Sequence, residues 1–391
     1  MTSQVVILGA GVGGLVAANE LRSKVGDRAS VTIIEKSARF HFPPSFPWVV
    51  MRSRTTEQIT KDLGLLERKG IRVLHDEVVG LDFGGKNVRT THGLVPYDRL
   101  VIALGADLAP ESIPGFIEHA HHMYDLESAV RLRDALAAVQ DGTVAIGVAR
   151  LPFKCPAAPY EFALLLDDAL RRRGGREKVQ IEFFTPEAAP LPAAGPENGS
   201  RVLSMLQERG IAYHPKRKLK EVGPHALTFE EGKPLAFDLL VCIPPHRAPK
   251  PVLDAGLADA TGWVPVDPGT LQTNHLGVFA VGDVTTLPTP NGFVPFLPKA
   301  GVFASGQAKV VAHNLAVQIL GRGRPQTWDG YGACFLEVGK GSSAFMSGNF
   351  LGSPRPDLQL RGPGAIYHTQ KVLFEKYWLR HWFYRPSWGW T

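Results

Sequence analysis

The stretch QVVILGAGVGGLVAANEL occupies residues 4–21 and decides the fold. Gln4–Leu8 is a short apolar run of the length of a buried strand, and a helical pattern follows it. Between them lies a turn in which Gly9, Gly11 and Gly14 have the spacing GxGxxG. In such a turn the first glycine reverses the chain, the second lets the backbone approach a pyrophosphate, and the third lets the helix pack closely on the strand. The sequence therefore predicts a dinucleotide site at the start of the first helix.

Three later positions extend this prediction. A second buried strand, Ser30–Ile34, ends in Glu35, where an acid is expected to hold the ribose hydroxyls. Ala103-Leu104-Gly105 and Val278–Asp283 resemble the middle and late motifs of FAD-binding flavoproteins with two dinucleotide domains. In those proteins the late aspartate binds the ribityl chain or its phosphate. The resemblance implies that Gly105, Gly282 and Asp283 bind FAD together with Glu35 and the glycine turn.

A second strand–turn–helix–strand unit follows, at residues 143–184. We predict an α/β fold with two Rossmann-like domains, the second inserted in the first, followed by a C-terminal hairpin and an amphipathic membrane-interface helix. The expected boundaries are residues 1–112 and 261–325 for the FAD-binding domain, 113–260 for the second domain, and 326–391 for a region with the hairpin and the membrane-interface helix.

The second unit lacks the glycine motif. Its first strand ends at Gly147, but Ala149 and Pro152 stand where the second and third glycines would be. A Cβ at residue 149 obstructs a pyrophosphate, and Pro152 offers no N–H. The next strand ends in Phe184-Thr185-Pro186, without an acid for a ribose. The sequence therefore predicts no nicotinamide site in this domain, and an electron donor that meets the flavin directly.

Composition excludes several classes of protein. The 391 residues carry a net charge of +6, without a Lys/Arg tract of the nucleic-acid-binding kind in the body of the chain. The three cysteines are too few for a disulfide scaffold, and no set of residues predicts a metal site. No apolar run reaches the roughly 18 residues of a membrane span. Residues 4–18 lack the charged flank of a signal peptide. We expect synthesis in the cytoplasm and no bilayer crossing.

The segment Lys154-Cys155-Pro156, which opens a helix, replaces the missing glycines. A cysteine at a helix N-terminus beside a lysine is expected to have a lowered pKa and a reactive thiolate. The alternative is a buried cysteine that acts as a small apolar residue. Glu161 lies six residues further on and is a candidate catalytic acid. The alternative for Glu161 is compensation of the helix dipole.

At this point the chain resembles the sulfide:quinone oxidoreductase family and its sister, the flavoprotein subunit of flavocytochrome c sulfide dehydrogenase. The resemblance covers nearly the whole chain. Its landmarks are the glycine turn, Pro43–Trp48, residues 154–161 (KCPAAPYE), Ile243–Pro245, Gly282-Asp283, Pro298–Gly301, Tyr331–Cys334 and Phe374–Tyr377.

The resemblance implies that Cys155 and Cys334 form a redox-active pair beside the flavin, bridged by a disulfide or a polysulfur chain. Sulfide attacks this bridge, which leaves a persulfide on one sulfur and a thiolate on the other. The thiolate then passes two electrons to the flavin. Which cysteine has which part is left open.

The chain also departs from these families. Many members carry a third functional cysteine where this sequence has His119–Met123. The sister family can link its flavin to a cysteine near residue 42, but this chain has Phe42, so we expect a non-covalent flavin. Cys242 lies in the middle of a predicted strand and is assigned to the core.

On the acceptor side, Lys299 precedes a long helix whose N-terminus the family places against the flavin pyrimidine. A positive charge there stabilises an anionic reduced flavin. The alternative is an exposed loop lysine. Phe293 and Phe296 lie among prolines and suit a quinone ring, although they suit a core equally well.

The last fourteen residues hold Trp378, Trp382, Trp388 and Trp390. On a helix, one face is predicted to be apolar and aromatic: Leu373, Phe374, Tyr377, Trp378 and Tyr384. The other face is predicted to be charged: Lys371, Glu375, Lys376 and Arg380. Such a helix suits a membrane interface; the alternative is a helix that packs on the core or on a second copy. We expect peripheral association with the cell membrane, and the sequence leaves a homo-oligomer open.

The leading prediction is a sulfide:quinone oxidoreductase with FAD. Three alternatives stay open: a sulfide dehydrogenase that donates to cytochrome c, a type II NADH:quinone oxidoreductase, and a flavin redox sensor in which Cys155 and Cys334 form a regulatory disulfide.

Overall fold

The computed structural model describes residues 2–384. The glycine turn lies at the edge of a five-stranded parallel sheet, whose spatial order is Val278–Ala280, Arg99–Ile102, Ser3–Leu8, Ala29–Ile34 and Arg72–Leu74. The outer strand Val278–Ala280 comes from far along the chain and pairs with Arg99–Ile102. The first sheet is therefore completed only after the second one, which confirms the predicted insertion.

Two long helices cover one face of this sheet. Val12–Val25 starts at the glycine turn, and Gly301–Leu320 packs across it. A Cβ added to Gly13 would lie 3.1 Å from Val281 and 3.6 Å from Ala304, so the first helix lies almost directly against its neighbours. This packing holds the N-terminal ends of both helices near the carboxyl ends of the strands, where α/β folds bind ligands.

The second sheet is also parallel, in the spatial order Ala120–His121, Leu239–Ile243, Gly142–Val148, Val179–Phe184 and Ile211–His214. Its central strands are buried along most of their length, as expected when helices cover both faces. The helices associated with it are Leu126–Ala138, Ala158–Arg172 and Pro196–Gln207.

Smaller elements flank the two sheets. Two antiparallel three-stranded sheets consist of Val78–Asp82, Asn87–Thr90 and Gly93–Pro96, and of Leu219–Val222, Ala226–Phe229 and Leu235–Ala236. Two-stranded pairs are Arg39–His41 with Thr60–Asp62, Asp107–Leu108 with His246–Arg247, and Val264–Pro265 with Thr285–Thr286. Short helices are Phe46–Val50, Phe116–His119 and Lys250–Asp254.

The apolar spacing of residues 57–69 predicts a helix there, and this prediction is wrong. The chain instead forms the strand Thr60–Asp62 and a 3₁₀ helix, Leu63–Lys69. The side chain of Asp62 accepts a hydrogen bond from the N–H of Gly64 at 2.7 Å, so it caps a new element at this point. A capping aspartate followed by a glycine interrupts the longer α-helix that the apolar spacing suggested.

The C-terminal region contains the predicted hairpin, Tyr331–Gly339 with Ser342–Asn349, and the predicted final helix, Ala365–His381. A third strand, Asp357–Gly364, was not predicted. Its glycines and Pro363 read as a loop, but proline is tolerated in an edge strand such as this one. Trp388 and Trp390, which belong to the aromatic C-terminal segment, lie outside the described residues.

Candidate active site

The glycine turn has the geometry that its sequence predicts. Gly9 has φ +90°, and a Cβ there would lie 2.6 Å from the carbonyl oxygen of Ala103. A Cβ on Gly14 would lie 1.9 Å from the carbonyl oxygen of Gly9, so helix and strand touch at this point. Gly11 differs, because a Cβ there would meet no protein atom within 4 Å. The first and third glycines are therefore required by packing, whereas the second faces open space.

Glu35 lies beside this turn at the end of the strand Ala29–Ile34. Its Oε2 accepts a hydrogen bond from the N–H of Ala10, and its Oε1 accepts one from Ser37, both at 2.9 Å. The two bonds fix the carboxylate next to the start of the first helix. This is the place in which the sequence predicted an acid for a ribose.

Gly282 and Asp283 lie at the opposite end of the site. Gly282 donates its N–H to Oε1 of Gln307 at 2.7 Å, which ties the turn to the long helix. The Oδ1 atom of Asp283 is buried and has no partner among the described residues. Burial raises the pKa of Asp283, while Lys154 and Lys299 lower it. A buried carboxylate oxygen without a partner indicates a missing ligand, since leaving it unpaired is costly.

Lys299 is buried rather than exposed, which excludes the loop-lysine alternative. Its ammonium donates to the carbonyl oxygens of Asp283 and Thr285, at 2.7 and 3.0 Å. The same nitrogen lies 3.4 Å from the centre of the Trp263 ring. Burial lowers the pKa of Lys299 to about 7, against the opposing effect of Asp283. The lysine is thus a buried cation immediately before the helix Gly301–Leu320.

These residues fit a flavin dinucleotide. Both long helices begin without a capping side chain and without an acid in the first turn, which leaves their N–H groups available to phosphate or to a flavin oxygen. A Cβ added to Gly11 or Gly105 would meet no protein atom within 4 Å, so a ligand can approach the backbone closely at both residues. Together with the unpartnered oxygen of Asp283, these features mark the path of a cofactor between the two helix ends.

The paired glycine variants Gly11→Ala and Gly14→Ala separate cofactor binding from folding. We expect Gly11→Ala to fold normally and to lose bound FAD, because its methyl group enters only the space of the cofactor. We expect Gly14→Ala to destabilise the protein itself, because its methyl group meets backbone. The measurements are flavin absorbance per protein chain and the thermal unfolding midpoint. Wild-type FAD content in Gly11→Ala contradicts the assignment.

Cys155 lies close to the same helix start. Its N–H donates to the carbonyl oxygen of Lys299 at 2.7 Å, so the segment from the second sheet docks against the segment that precedes the long helix. Cys155 itself has φ +55°, an uncommon conformation for a residue with a side chain. Strained backbone of this kind clusters at functional sites because the surroundings enforce it.

Cys334 comes from the hairpin strand Tyr331–Gly339, opposite Met346. Its strand lies against the helix that follows Cys155, since the N–H of Glu337 donates to Oε2 of Glu161 at 3.0 Å. The charge of Cys334 accordingly raises the pKa of Cys155. Both cysteines are free thiols. The expected lowering of the Cys155 pKa is wrong: burial raises it well above the usual range, and burial raises the pKa of Cys334 to about 11. Loss of solvation outweighs the lowering effect of Lys371, and Lys154 does not offset it. Cys155 also precedes the helix Ala158–Arg172 by three residues.

Glu161 stands in the first turn of that helix and points toward the C-terminal region. Its Oε1 accepts a hydrogen bond from the ammonium of Lys371 at 2.7 Å, and its Oε2 accepts one from the N–H of Glu337 at 3.0 Å. Both partners of the ion pair are buried. Glu161 raises the pKa of Cys155 and of Cys334, and Lys371 lowers both. The predicted acid is therefore next to both thiols and is held by a lysine that the sequence had placed on a solvent-exposed face.

Two further residues extend this network. His368 Nδ1 lies 3.0 Å from both carboxylate oxygens of the buried Glu337. Burial raises the pKa of Glu337, which Lys371 and His368 lower. The ammonium of Lys371 also lies 4.8 Å from the centre of the Trp48 ring. Sequence patterns missed these residues, since the spacing along one helix does not show which distant acids it meets.

The second sheet shows why the turn after Gly147 differs from the first. A Cβ on Gly147 would lie 2.3 Å from the ring of Phe184, so this glycine serves the packing of an aromatic side chain. Arg150 donates to the carbonyl oxygens of Ala149 and Leu219. Glu187 lies three residues after Phe184, past the end of the next strand. It is buried, and it accepts a hydrogen bond from the Tyr160 hydroxyl at 2.7 Å.

Phe293 and Phe296 lie on a loop whose ends are joined by the hydrogen bond from Leu297 N–H to the Leu287 carbonyl at 2.8 Å. Their side chains are 39% and 41% exposed, which excludes the alternative that they fill the core. A small cavity lies beneath this loop, and Leu287, Leu297 and Lys299 line it. The loop thus presents two aromatic rings at the surface above a cavity that reaches Lys299.

The C-terminal helix differs from the prediction in which side chains face the protein. Lys371, Glu375 and Trp378 point inward and are buried. Glu375 accepts hydrogen bonds from the Ser45 hydroxyl at 2.5 Å and from Arg54 Nε at 2.8 Å. The large apolar and aromatic side chains that stay at least two-fifths exposed are Ile366, Leu373, Phe374, Tyr377 and, after the helix, Tyr384. The polar residues Gln370, Lys376 and Arg380 of the helix are exposed as well. Within residues 2–384, none of the helices is long and apolar enough to cross a membrane.

Comparisons with known proteins show which proteins this chain resembles. Residues 3–308 match the family model described as pyridine nucleotide-disulphide oxidoreductase. The mitochondrial sulfide:quinone oxidoreductase of Dictyostelium discoideum is 29% identical over 85% of this chain and 74% of its own. The sulfide-quinone reductase of Aquifex aeolicus (strain VF5) is 29% identical over 97% of this chain and 91% of its own. The X-ray structure of the sulfide:quinone oxidoreductase from Aquifex aeolicus has a TM-score of 0.88 and 27% identity, covering 98% of this chain and 93% of that one.

Proposed function

Because the chain belongs to the pyridine nucleotide-disulphide oxidoreductase family, we propose that it is a sulfide:quinone oxidoreductase with non-covalently bound FAD. The observation that carries the proposal is the packing of two cysteine-bearing segments around the buried pair of Glu161 and Lys371. The N–H of Cys155 binds the carbonyl oxygen of Lys299 before the long helix, and the strand of Cys334 contacts Glu161 through the Glu337 N–H. The relatives that match along most of the chain support the same substrates, since their names give sulfide and quinone.

The FAD site proposed here runs from the glycine turn and Glu35 to Asp283 and Lys299. When bound, FAD supplies two-electron transfer between the sulfur chemistry and the quinone. The chain's own residues hold it: helix N-terminal N–H groups bind phosphate, Glu35 binds a ribose, and Asp283 receives a hydroxyl of the ribityl chain. Phe42 is buried against Trp378, with ring centroids 5.1 Å apart, and offers no attachment atom.

The two cysteines perform the sulfur chemistry in this proposal. In the oxidised enzyme Cys155 and Cys334 are bridged, and hydrosulfide attacks one sulfur of the bridge. A new S–S bond forms, the old one breaks, and its electron pair leaves with the other cysteine as a thiolate. Loss of solvation raises the pKa of both half-buried thiols, so a thiolate formed here is a high-energy electron donor. Lys371 lowers both pKa values and so stabilises the thiolate.

Proton delivery to the quinone is assigned to the network of Glu161, Lys371, Glu337 and His368. Lys371 binds Glu161 at 2.7 Å and His368 contacts the Glu337 carboxylate at 3.0 Å, and the backbone N–H of Glu337 links the two pairs. His368 is partly exposed. A quinone takes up two protons on reduction, and two adjacent acid–base pairs, one of which reaches the surface, can supply them. Phe293 and Phe296 are proposed to hold the quinone ring above the cavity that Lys299 lines.

Anaerobic titration tests the function. Sulfide added to the purified, FAD-loaded protein is expected to bleach the flavin absorbance, and a short-chain quinone is expected to restore it. Efficient bleaching by NADH instead of sulfide would favour a type II NADH:quinone oxidoreductase. Re-oxidation by cytochrome c but not by quinone would favour a sulfide dehydrogenase, and bleaching without turnover with either acceptor would favour a sensor.

We also propose that the exposed side of the C-terminal helix lies in a membrane surface. Lys371 and Glu375 bind partners inside the protein, so the outer side of this helix carries large apolar and aromatic side chains next to exposed basic residues such as Lys376, as an interfacial helix requires. Leu373 and Tyr377 are each 58% exposed on that side.

Replacement of both residues, Leu373→Glu with Tyr377→Glu, is expected to weaken binding to phosphatidylcholine–phosphatidylglycerol vesicles by roughly 100-fold, since each buried apolar side chain contributes about 1.5–3 kcal/mol. Vesicle flotation measures the effect. The matched control is Leu276→Glu, which changes a leucine that is 91% exposed just before the strand Val278–Ala280. Equal losses in the two proteins would contradict the assignment of this surface.

A further inference from the structure

A cavity of about 300 Å³ lies between the first helix, Val12–Val25, and the 3₁₀ helix Leu63–Lys69. Its volume is at the lower end of the range for small-molecule sites, about 300–1,000 Å³. The cavity lies along the C-terminal half of the first helix, whereas the glycine turn lies at the other end, and the proposed redox chemistry uses none of its residues. Its lining is mostly polar and consists of Asn19, Arg22, Ser23, Lys69 and Ile71.

Lys69 is a half-buried cation in the wall of this cavity. Its ammonium donates to the carbonyl oxygens of His381 and Trp382, at 3.1 and 3.2 Å, where the C-terminal helix ends. Capping of that helix explains two of the three N–H donors of a lysine, and the third is left for a group in the cavity. No carboxylate of residues 2–384 pairs with Lys69. Burial lowers the pKa of Lys69 to about 8, so a bound anion would stabilise its charged form.

Arg22 places a second cation beside Lys69. A Cβ added to Gly70 would lie 2.8 Å from the Nε and Nη2 atoms of Arg22, so the guanidinium lies against the residue that follows Lys69. Its Nη2 donates to Asp27 at 2.6 Å, which means that this acid is already paired. The two cations therefore share one acid, and the cavity keeps a positive charge that favours an anion.

Asn19 adds an acceptor that has no donor. Its side chain is 7% exposed, and its amide nitrogen donates to the carbonyl oxygen of Leu15 at 2.8 Å. Its Oδ1 atom is buried and accepts no hydrogen bond from any group in the described part of the chain. Buried polar atoms are nearly always paired. A ligand that suits this wall therefore carries an O–H or N–H donor as well as a negative charge.

The cavity adjoins the surface that we assign to the membrane. His381, whose carbonyl oxygen binds Lys69, stacks its ring on Tyr377 with centroids 4.9 Å apart. Tyr377 is one of the exposed aromatic residues of that surface. Beyond the helix, the ammonium of Lys61 lies 5.5 Å from the ring centre of Tyr384. Basic side chains of one short segment thus flank the end of the membrane helix, where lipid headgroups lie.

We propose that this cavity binds the headgroup of an anionic phospholipid that carries hydroxyl groups, the chemistry of phosphatidylglycerol. Lys69 and Arg22 bind the phosphodiester, and a headgroup hydroxyl donates to Oδ1 of Asn19. The inference rests on the membrane surface proposed for the C-terminal helix and is independent of the sulfur chemistry. Non-specific attraction to a negative surface needs only the cations, so the contact with Asn19 is what makes the site selective.

Vesicle flotation with three lipid compositions tests the proposal. The vesicles contain phosphatidylcholine alone, or phosphatidylcholine with the same share of either phosphatidylglycerol or phosphatidylmethanol, which has an equal charge but no hydroxyl. Wild-type protein should bind phosphatidylglycerol vesicles about fivefold more tightly than phosphatidylmethanol vesicles, the scale of one hydrogen bond to a buried group. Asn19→Leu should bind both anionic vesicles equally, because it lacks the acceptor.

Lys69→Met tests the phosphate contact and stays informative if Asn19→Leu does not fold. It should weaken binding to both anionic vesicles by about fivefold, the scale of one lysine at an anionic membrane surface. Lys24→Met is the matched control, because Lys24 lies on the first helix but outside the cavity lining and pairs with Glu20 at 3.1 Å. Its loss should stay below about twofold, since this charge is already compensated.

Equal binding of the two anionic vesicles by wild-type protein overturns the inference, and so does a loss in Lys69→Met no larger than that in Lys24→Met. Calorimetric titration with glycerol 1-phosphate distinguishes a lipid from a soluble ester. Binding without vesicles that is as tight as vesicle binding, and that Lys69→Met abolishes, overturns the lipid assignment. Wild-type protein that binds none of the three vesicles overturns the membrane surface. Sulfide should bleach the flavin of every variant at the wild-type rate, and wild-type protein that sulfide does not bleach overturns the proposed function instead.

Discussion

Replacing Cys334 with serine is expected to abolish reduction of the bound flavin by sulfide, and Cys155→Ser is expected to do the same. A serine oxygen cannot take part in the sulfur bridge, so the route through a thiolate is lost. We expect a fall of roughly 10³-fold or more in the bleaching rate, as for the removal of other covalent nucleophiles. FAD content should stay at the wild-type level, because no cofactor contact is assigned to either thiol. Anaerobic stopped-flow absorbance at a fixed sulfide concentration measures both quantities.

The remaining cysteine supplies the control for this experiment. Cys242 is fully buried in the strand Leu239–Ile243 and lies away from the site, so Cys242→Ala should reduce at the wild-type rate. The sulfur mechanism does not survive if sulfide reduces the flavin of both serine variants at full rate. A loss in only one variant would identify the cysteine that passes electrons to the flavin.

Lys371→Met is expected to lower the free energy of unfolding by about 3–5 kcal/mol. It leaves the carboxylate of Glu161 buried without its counter-charge, and an uncompensated buried charge costs that much. The double variant with Glu161→Gln should recover most of that loss, because neither charge then remains. Urea unfolding of wild type, the two single variants and the double variant gives the coupling between the residues.

Lys376→Met is the control for the lysine, since Lys376 is exposed on the same helix. Its effect should stay within about 0.5 kcal/mol, as for most surface substitutions. An equal loss in Lys371→Met and Lys376→Met, or no recovery in the double variant, would show that the buried pair does not hold the C-terminal helix.

Much of the cofactor region could be predicted because it is formed by residues that are close together in the sequence. Gly9, Gly14 and Glu35 lie within one strand–helix–strand unit, and their spacing alone fixes their places around the turn. Gly282 and Asp283 follow a buried strand, so the edge of the sheet at which they lie was also predictable.

What could not be predicted depends on contacts between distant parts of the chain. Lys371 and Glu375 read as a solvent-exposed face because charged residues are rarely buried unless paired, and their partners Glu161 and Arg54 are 210 and 321 residues away. The pKa of Cys155 followed burial rather than the neighbouring lysine, and the depth of burial is a tertiary property. The burial of Glu187 was not predicted, because this residue follows Pro186 beyond the end of the strand and its side chain turns inward.

The buried pairs of the C-terminal helix bear on how this lineage diversifies. The family-wide match ends at residue 308, whereas Cys334, Lys371 and Glu375 lie beyond it. The residues proposed for the sulfur chemistry are therefore divided between the segment that the family model covers and the segment that follows it. A C-terminal helix taken from a relative is expected to dock on this scaffold only if it offers partners to Glu161 and Arg54, because unpaired buried charges are costly.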